Sequence, residues 1–343
     1  MKETSLRGRR ITIVGNRGGT NIGESFERAA RVASLDFQVI ESRRAMEGPA
    51  WLRRFNWHFR AKRPTWLNSF SKQVVESCTR HESEVVVVTG ISALNADALA
   101  KLNRAGIKVA NYLTDDPWNP MHRAPWFFKA LPNYFAVFSP RHANLDDLRA
   151  VGCKRVSYLP FAYDPELHFP EVSSKEECAA FAADVLFVGG ADKDRIPVCS
   201  AIAESGLSLA IYGDYWDRHA VTQPFYRGYA DLAMLRRATA GAAVCLCLTR
   251  KANRDGHTMR SYEVPAMQAV ILAESTDDHK DMFGEEGALY FRDIPEMISK
   301  AKWLVAHEAE ARQMAARAHA RITRAANTYR DRLVTILATC LNG

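Results

Sequence analysis

The 343-residue chain lacks any run of 18 or more apolar residues, so no membrane-crossing helix is expected. Its seven cysteines are scattered and odd in number, and only Cys245-Leu-Cys247 forms a close pair. On a strand those two side chains point the same way, and burial is expected for them rather than a disulfide or a metal site. Met1 to Arg10 is polar and basic, and Ile11 already opens a strand pattern, so no secretory signal is expected and a cytoplasmic location follows. Acidic residues are sparse in the first half. Residues 1–165 hold 25 Lys+Arg against 15 Asp+Glu, a net +10, whereas the remainder holds 21 against 24, a net −3. The basic half favours an anionic partner, whether membrane surface, charged glycan or nucleic acid.

What is present is ordinary globular material, 47% apolar and 25% charged. The length suits two domains of about 150 residues each. Strand patterns fall at Arg10–Gly15, Phe37–Ile40, Glu84–Gly90, Lys108–Thr114, Asn133–Ser139 and Val156–Tyr158. Helical patterns at Ile22–Leu35, Ala96–Ala105 and Asn144–Val151 alternate with them. The unbroken apolar run Val85–Val88 marks a strand covered on both faces, and the alternation implies a parallel sheet between helices. Leu159-Pro-Phe-Ala-Tyr-Asp-Pro-Glu-Leu-His-Phe-Pro170, with three prolines, reads as a connector. Alternation then restarts at Asp184–Val188, Leu207–Tyr212, Ala242–Leu248, Val270–Ala273 and Ala288–Phe291. Helices follow from Pro295 to about Ala326, and Tyr329, Leu333, Ile336, Leu337 and Cys340 make one stripe on a last helix.

The most informative segment is Asn253-Arg-Asp-Gly-His-Thr-Met-Arg-Ser-Tyr-Glu263 and the apolar run after it. Pro265 is tolerated only near a helix start, so a short helix must begin close to Ser261. That puts Asn253, Gly256, His257, Thr258, Met259 and Arg260 at its entrance, where backbone N–H groups and the dipole favour an anion. Arg260 and His257 add donors to the same spot. Glu263, three positions on, shares a face with Arg260. A carboxylate beside a phosphate clamp needs its own target, and a sugar diol supplies two donors. The segment reads as a nucleotide-diphosphate site, with Arg260 for phosphate and Glu263 for ribose.

This segment resembles the C-terminal domain of the CgeB-like, or spore-maturation-protein-like, glycosyltransferases of the GT-B class. Asp184-Val-Leu-Phe-Val-Gly-Gly190 looks like that family's first strand and glycine turn, with Arg195 where an arginine recurs. Ile211-Tyr-Gly-Asp-Tyr-Trp216 looks like its second strand and turn, and Asn327-Thr-Tyr-Arg-Asp-Arg332 like its closing helix. The resemblance covers about residues 184–341 and touches the N-terminal half only loosely. It implies an α/β fold of two doubly wound Rossmann-like domains facing a cleft: residues 1–165 on the acceptor side, 166–326 holding the nucleotide sugar, and 327–343 as a helix returning to the first domain. It implies a glycosyltransferase that moves a sugar from a nucleotide-diphosphate sugar to an acceptor hydroxyl in glycan or glycolipid assembly. No cofactor or metal is called for, because Arg195, His257 and Arg260 would meet the diphosphate charge. A nucleotide-sugar epimerase on the same fold, or a non-catalytic nucleotide-sugar-binding protein, would share the donor site.

Several residues carry both a functional and a plain structural reading. Gly189-Gly190 lets a backbone approach phosphate but is also a common turn. Tyr212, Gly213 and Trp216 occupy a turn where a base would sit, or Trp216 simply packs. In retaining family-4 glycosyltransferases a pair of glutamates recurs. Glu263 matches the second and Asp255 stands in place of the first, where it is also a natural turn residue. Asp115-Asp116-Pro117 follows a strand, so either carboxylate, or His122, could take an acceptor proton, although a capped turn is the simpler reading. Asn16–Asn21, with Gly18, Gly19 and Asn21, resembles the acceptor-side or phosphate-facing glycine loop of some GT-B enzymes. Between Arg43 and Trp66, seven basic residues interleave with Trp51, Phe55, Trp57, Phe59 and Trp66. That composition fits peripheral contact with anionic lipid and a glycan or lipid-linked acceptor. The alternative is a helix whose aromatics are buried, and nucleic acid is not the expected partner.

Overall fold

The structure, a computed structural model, describes residues 6–19, 21–172 and 174–342. It forms two compact units. The first comprises Met1–Pro160, Ala252–Arg254 and Tyr329–Gly343, and the second Phe161–Lys251 and Asp255–Thr328.

The first unit is a six-stranded parallel sheet: β1 (Arg10–Gly15), β2 (Asp36–Glu41), β3 (Val85–Thr89), β4 (Lys108–Tyr112), β5 (Ala136–Ser139) and β6 (Val156–Tyr158). The order is β2-β1-β3-β4-β5-β6. Val85–Val88 are all fully buried, as a strand covered on both faces requires. Helices α1 (Ile22–Val32), α2 (Ala50–Phe59), α3 (Leu67–Arg80), α4 (Ala96–Arg104), α5 (Pro125–Ala130) and α6 (Ala143–Ala150) connect the strands. Glycine is obligatory where β1 runs into α1. A Cβ on Gly15 would stand 2.5 Å from Thr89 Oγ1, and one on Gly23 would stand 2.6 Å from the Asn16 carbonyl oxygen.

The second unit is a five-stranded parallel sheet: β7 (Ala183–Val188), β8 (Leu209–Tyr212), β9 (Ala242–Cys247), β10 (Ile271–Glu274) and β11 (Leu289–Phe291), ordered β11-β10-β9-β7-β8. Helices α7 (Lys175–Phe181), α8 (Arg195–Glu204), α9 (Leu232–Gly241), α10 (Arg260–Ala266), α11 (Asp277–Gly287), α12 (Ile294–Ala306) and α13 (Glu308–Arg324) accompany it. The direction of winding reverses between β7 and β9. In doubly wound sheets the carboxyl ends of the strands at such a switch point border the ligand crevice.

The last helix, α14 (Tyr329–Asn342), belongs to the first unit. Its stripe of Tyr329, Leu333, Ile336, Leu337 and Cys340 is buried, and Tyr329 meets Phe26 of α1 edge-on at 5.9 Å. Lys108 Nζ donates to the Cys340 carbonyl at 2.8 Å. Cys245 and Cys247 are both buried on β9, as strand alternation predicts.

Candidate functional site

In the second unit the loops after β7 and β8 are joined through backbone. Gly189 N–H donates to the Tyr212 carbonyl at 2.9 Å, and Ala191 N–H to the Asp214 carbonyl at 2.9 Å. A Cβ on Gly213, whose φ is +132°, would stand 2.4 Å from the Gly189 carbonyl oxygen. Gly190 lies in more open surroundings, its Cβ position 3.7 Å from the nearest neighbour. Trp216 does not cover this turn. It is fully buried in the core of the unit and donates its indole N–H to the Gly189 carbonyl at 2.7 Å, which supports the glycine turn from below. Tyr212 is buried as well, and the exposed aromatic of the turn is Tyr215, held at φ +71°.

Arg195, at the start of α8, ties the two strands of the switch point together. Its Nη1 donates to the Gly190 carbonyl at 3.3 Å and its Nη2 to the Leu248 carbonyl at 3.4 Å. Asp192 Oδ2 lies 3.6 Å from Arg195 Nε and 3.5 Å from Arg250 Nε, so two guanidinium groups flank one carboxylate. Burial, then the nearby Arg250 charge, pull the Arg195 pKa below its ordinary value. Arg195 Nε has no hydrogen-bond partner among the described residues. An added anion would relieve the repulsion between the two guanidinium groups. Arg250 carried no sequence motif; only its place at the end of β9 singles it out.

The entrance to α10 differs from the sequence expectation in detail. The helix begins at Arg260 and has only seven residues. Thr258 N–H is taken by Ser261 Oγ at 3.0 Å. His257 is buried, with Nδ1 2.7 Å from Asp278 Oδ2 and Nε2 accepting the Phe161 N–H at 3.2 Å. That pairing fixes the neutral tautomer with the proton on Nδ1, and burial lowers the imidazole pKa. Both nitrogens are thus engaged within the protein. A Cβ on Gly256 would fall 2.4 Å from Asp278 Oδ2 and would have to displace that carboxylate. Asp255 Oδ2 accepts the Arg250 N–H at 3.2 Å and closes the loop as a turn residue. Asn253 departs furthest from expectation. It lies in the first unit, where its Nδ2 donates to Asp115 Oδ1 at 3.2 Å and its Oδ1 accepts from Asn119 at 2.6 Å.

Arg260 donates to Glu263 Oε2, and Glu263 is fully buried. Glu263 Oε1 has no hydrogen-bond partner among the described residues. It lies 3.6 Å from His168 Nε2, which carries that ring's proton because Nδ1 accepts the Asp164 N–H. His168 came from the proline-rich connector, where nothing in the sequence marked it as a site residue.

In the first unit the adjacent carboxylates separate in role. Asp116 is fully buried and accepts from Trp118 N–H, Asn144 Nδ2 and both Nε and Nη2 of Arg254, at 2.6 to 3.1 Å. Three of these donors meet Oδ1 and one meets Oδ2, so the carboxylate anchors structure. Asp115 is partly exposed, with its Oδ1 3.5 Å from His122 Nε2. Gly18 and Gly19 both adopt positive φ, and the loop is closed by Gly18 N–H to Glu24 and by Asn21 Nδ2 to the Gly18 carbonyl, each at 2.5 Å. Thr20 of that loop lies outside the described residues. Among the described residues no cluster of three or more His, Cys, Asp or Glu side chains is arranged to hold a metal.

Residues 195–338 match the profile of a family described as glycosyl transferase-like. No curated protein matches the chain. Among solved structures, sucrose-phosphate synthase from Thermosynechococcus elongatus superposes with a TM-score of 0.69 at 11% identity, covering 97% of this chain and 98% of that one. A glycosyltransferase from Rickettsia africae gives 0.65 at 11% identity over 98% and 100%. Anabaena HepE in complex with UDP gives 0.60 at 11% identity over 97% and 99%. At such identities the likeness is one of fold, and the fold is that of the GT-B class.

Proposed function

We propose that the chain is a glycosyltransferase of the CgeB-like kind that moves a sugar from a nucleotide-diphosphate sugar to a hydroxyl of a glycan or lipid-linked acceptor. One observation carries the reading. At the switch point of the second sheet, Arg195 and Arg250 share a single carboxylate beside a double-glycine turn. Two guanidinium groups with one counter-charge suit a diphosphate, whose negative charge grows as the anomeric C–O bond breaks. The GT-B fold and the glycosyl transferase-like match over residues 195–338 support the same assignment.

The residues then divide the work. Gly190 lets the diphosphate approach the turn, and Arg195 and Arg250 hold its charge without a metal. Arg260 turns from Glu263 to the phosphate as the donor enters, and the freed Glu263 takes the ribose hydroxyls. That exchange gives a donor to Glu263 Oε1, which has no hydrogen-bond partner among the described residues. As the acceptor oxygen bonds to the anomeric carbon, its proton passes to the Asp115–His122 pair and the nucleotide diphosphate leaves. His257 and Asp278 act beneath the site by fixing the loop that carries Arg260.

The experiment is a thermal-shift panel of UDP, GDP, ADP, TDP and CMP, followed by transfer assays with the donor it selects. A ligand at about 100 times its Kd adds about 2.7 kcal/mol to stability. One diphosphate should raise Tm clearly and CMP should not, the Arg195→Ala variant should lose the shift, and EDTA should leave it intact. A panel in which no nucleoside diphosphate moves Tm overturns the reading.

A further inference from the structure

We propose that the outward face of α2 docks on an anionic phospholipid membrane, with the basic cavity beside it receiving lipid phosphate. The inference is independent of the donor site. The helix is built inside out. Of its ten residues only Asn56 is buried, and Asn56 Oδ1 finds no hydrogen-bond partner among the described residues. Its apolar residues point outward instead: Trp51 is 70% exposed, Phe55 48% and Phe59 77%. These three recur every fourth position, so they line one edge of the helix. This overturns the alternative in which the aromatics are buried. An exposed ring row of this kind on a soluble face calls for an apolar partner.

The neighbouring face is basic. Arg53, Arg54, Trp57, Lys62 and Arg63 line a cavity of about 450 Å³. Lys62 sits 5.6 Å from the centroid of the Trp57 ring, returned there by a turn in which Ala61 and Lys62 both hold positive φ. None of those four cationic side chains has an acidic partner among the described residues, and no Asp or Glu occurs between Gly48 and Trp66. Apolar rings on one edge and uncompensated cations on the next are the two halves of an interfacial helix. Lipid fits better than single-stranded nucleic acid. The Phe55 and Phe59 rings are 5.4 Å apart at 32°, too close to admit a base between them. The contact is peripheral, since no helix among the described residues is long and apolar enough to cross a membrane.

The test is co-sedimentation of the full chain with vesicles of phosphatidylcholine alone or mixed with phosphatidylglycerol, at low and high salt. Binding to the mixed vesicles only is expected. Each cation near an anionic surface is worth roughly a fivefold change in affinity, so Arg53→Gln/Arg54→Gln/Arg63→Gln should bind about 100-fold more weakly. The matching triple lysine variant should bind normally. Trp51→Ser/Phe55→Ser/Phe59→Ser should lose binding at both salt concentrations, and single Trp51→Gln and Phe59→Gln variants serve if that triple fails to fold. Equal binding to neutral vesicles, no vesicle binding, or variants that bind like the parent would overturn the proposal. So would an oligonucleotide that outcompetes the vesicles for the same residues.

Discussion

Arg260 and Glu263, one turn apart on α10, form an ion pair whose carboxylate is fully buried and whose second oxygen lacks a hydrogen-bond partner among the described residues, His168 Nε2 standing off at 3.6 Å. A half-satisfied buried carboxylate is costly unless something supplies the missing donor. If ribose supplies it, Glu263→Ala removes two charge-assisted hydrogen bonds. Nucleotide affinity should then fall by about 2 kcal/mol, roughly 30-fold in Kd. Glu263→Gln, which keeps the shape and one acceptor, should lose less. Calorimetric titration decides it, and a Kd within about twofold of the parent for Glu263→Ala would take Glu263 out of the ribose role.

The two glycine turns should respond in opposite ways. Gly213 adopts φ +132° and its Cβ position lies 2.4 Å from the Gly189 carbonyl oxygen, which is backbone and cannot step aside. Gly213→Ala should cost about 2–4 kcal/mol of stability, read by denaturant unfolding. Gly190 lacks a positive φ and has room for a methyl group, so Gly190→Ala should leave stability within about 1 kcal/mol. It should instead weaken binding of the nucleoside diphosphate, because the methyl fills the space left for phosphate. Equal stability losses in the two variants would contradict this division.

Much of this architecture was legible because each strand announced itself. Four consecutive valines at Val85–Val88 admit only a strand buried on both faces, and Pro265 forced the start of α10 to within a residue of Ser261. The stripe on α14 likewise fixed which side of that helix is covered. What stayed hidden depends on non-local pairing. The sequence could not show that Trp216 supports Gly189 from the core or that Asn253 joins Asp115, since these partners are separated by 27 and 138 positions. Nor could it show that α2 turns its rings outward, because the pattern of Trp51, Phe55 and Phe59 is the same for a core stripe as for an exposed one. Arg250 and His168 were missed for want of any local signal.

Asp115 and Asp116 are neighbours that should separate cleanly under mutation. Asp116 is buried and chelated by Arg254, so Asp116→Ala leaves that guanidinium with Asp147 alone and strands two further donors. A loss of about 2–4 kcal/mol of stability is expected, below the full cost of a broken buried pair because Arg254 is partly exposed. Asp115→Asn should leave the unfolding midpoint unchanged and lower kcat with little change in donor KM. The check is unfolding and steady-state kinetics on both variants side by side. An Asp115→Asn enzyme with full kcat would remove that carboxylate from proton transfer.

The His257–Asp278 contact makes a signed prediction about acid. The folded imidazole is held neutral, with its pKa depressed by burial from the ordinary 6.5, and protonating Nε2 would expel the Phe161 N–H it accepts. Below about pH 6.5 the unfolded chain therefore binds a proton that the folded chain refuses, and stability drains away as pH falls toward the folded pKa. Above pH 6.5 both states are neutral and the contribution is complete. The slope is at most about 1.4 kcal/mol per pH unit for one group. His257→Gln, which keeps a donor and an acceptor but cannot titrate, should start less stable and then lose less between pH 7 and pH 5. Urea midpoints across that range distinguish the two outcomes: converging curves support a buried neutral imidazole, and parallel curves mean that His257 takes up its proton equally in both states.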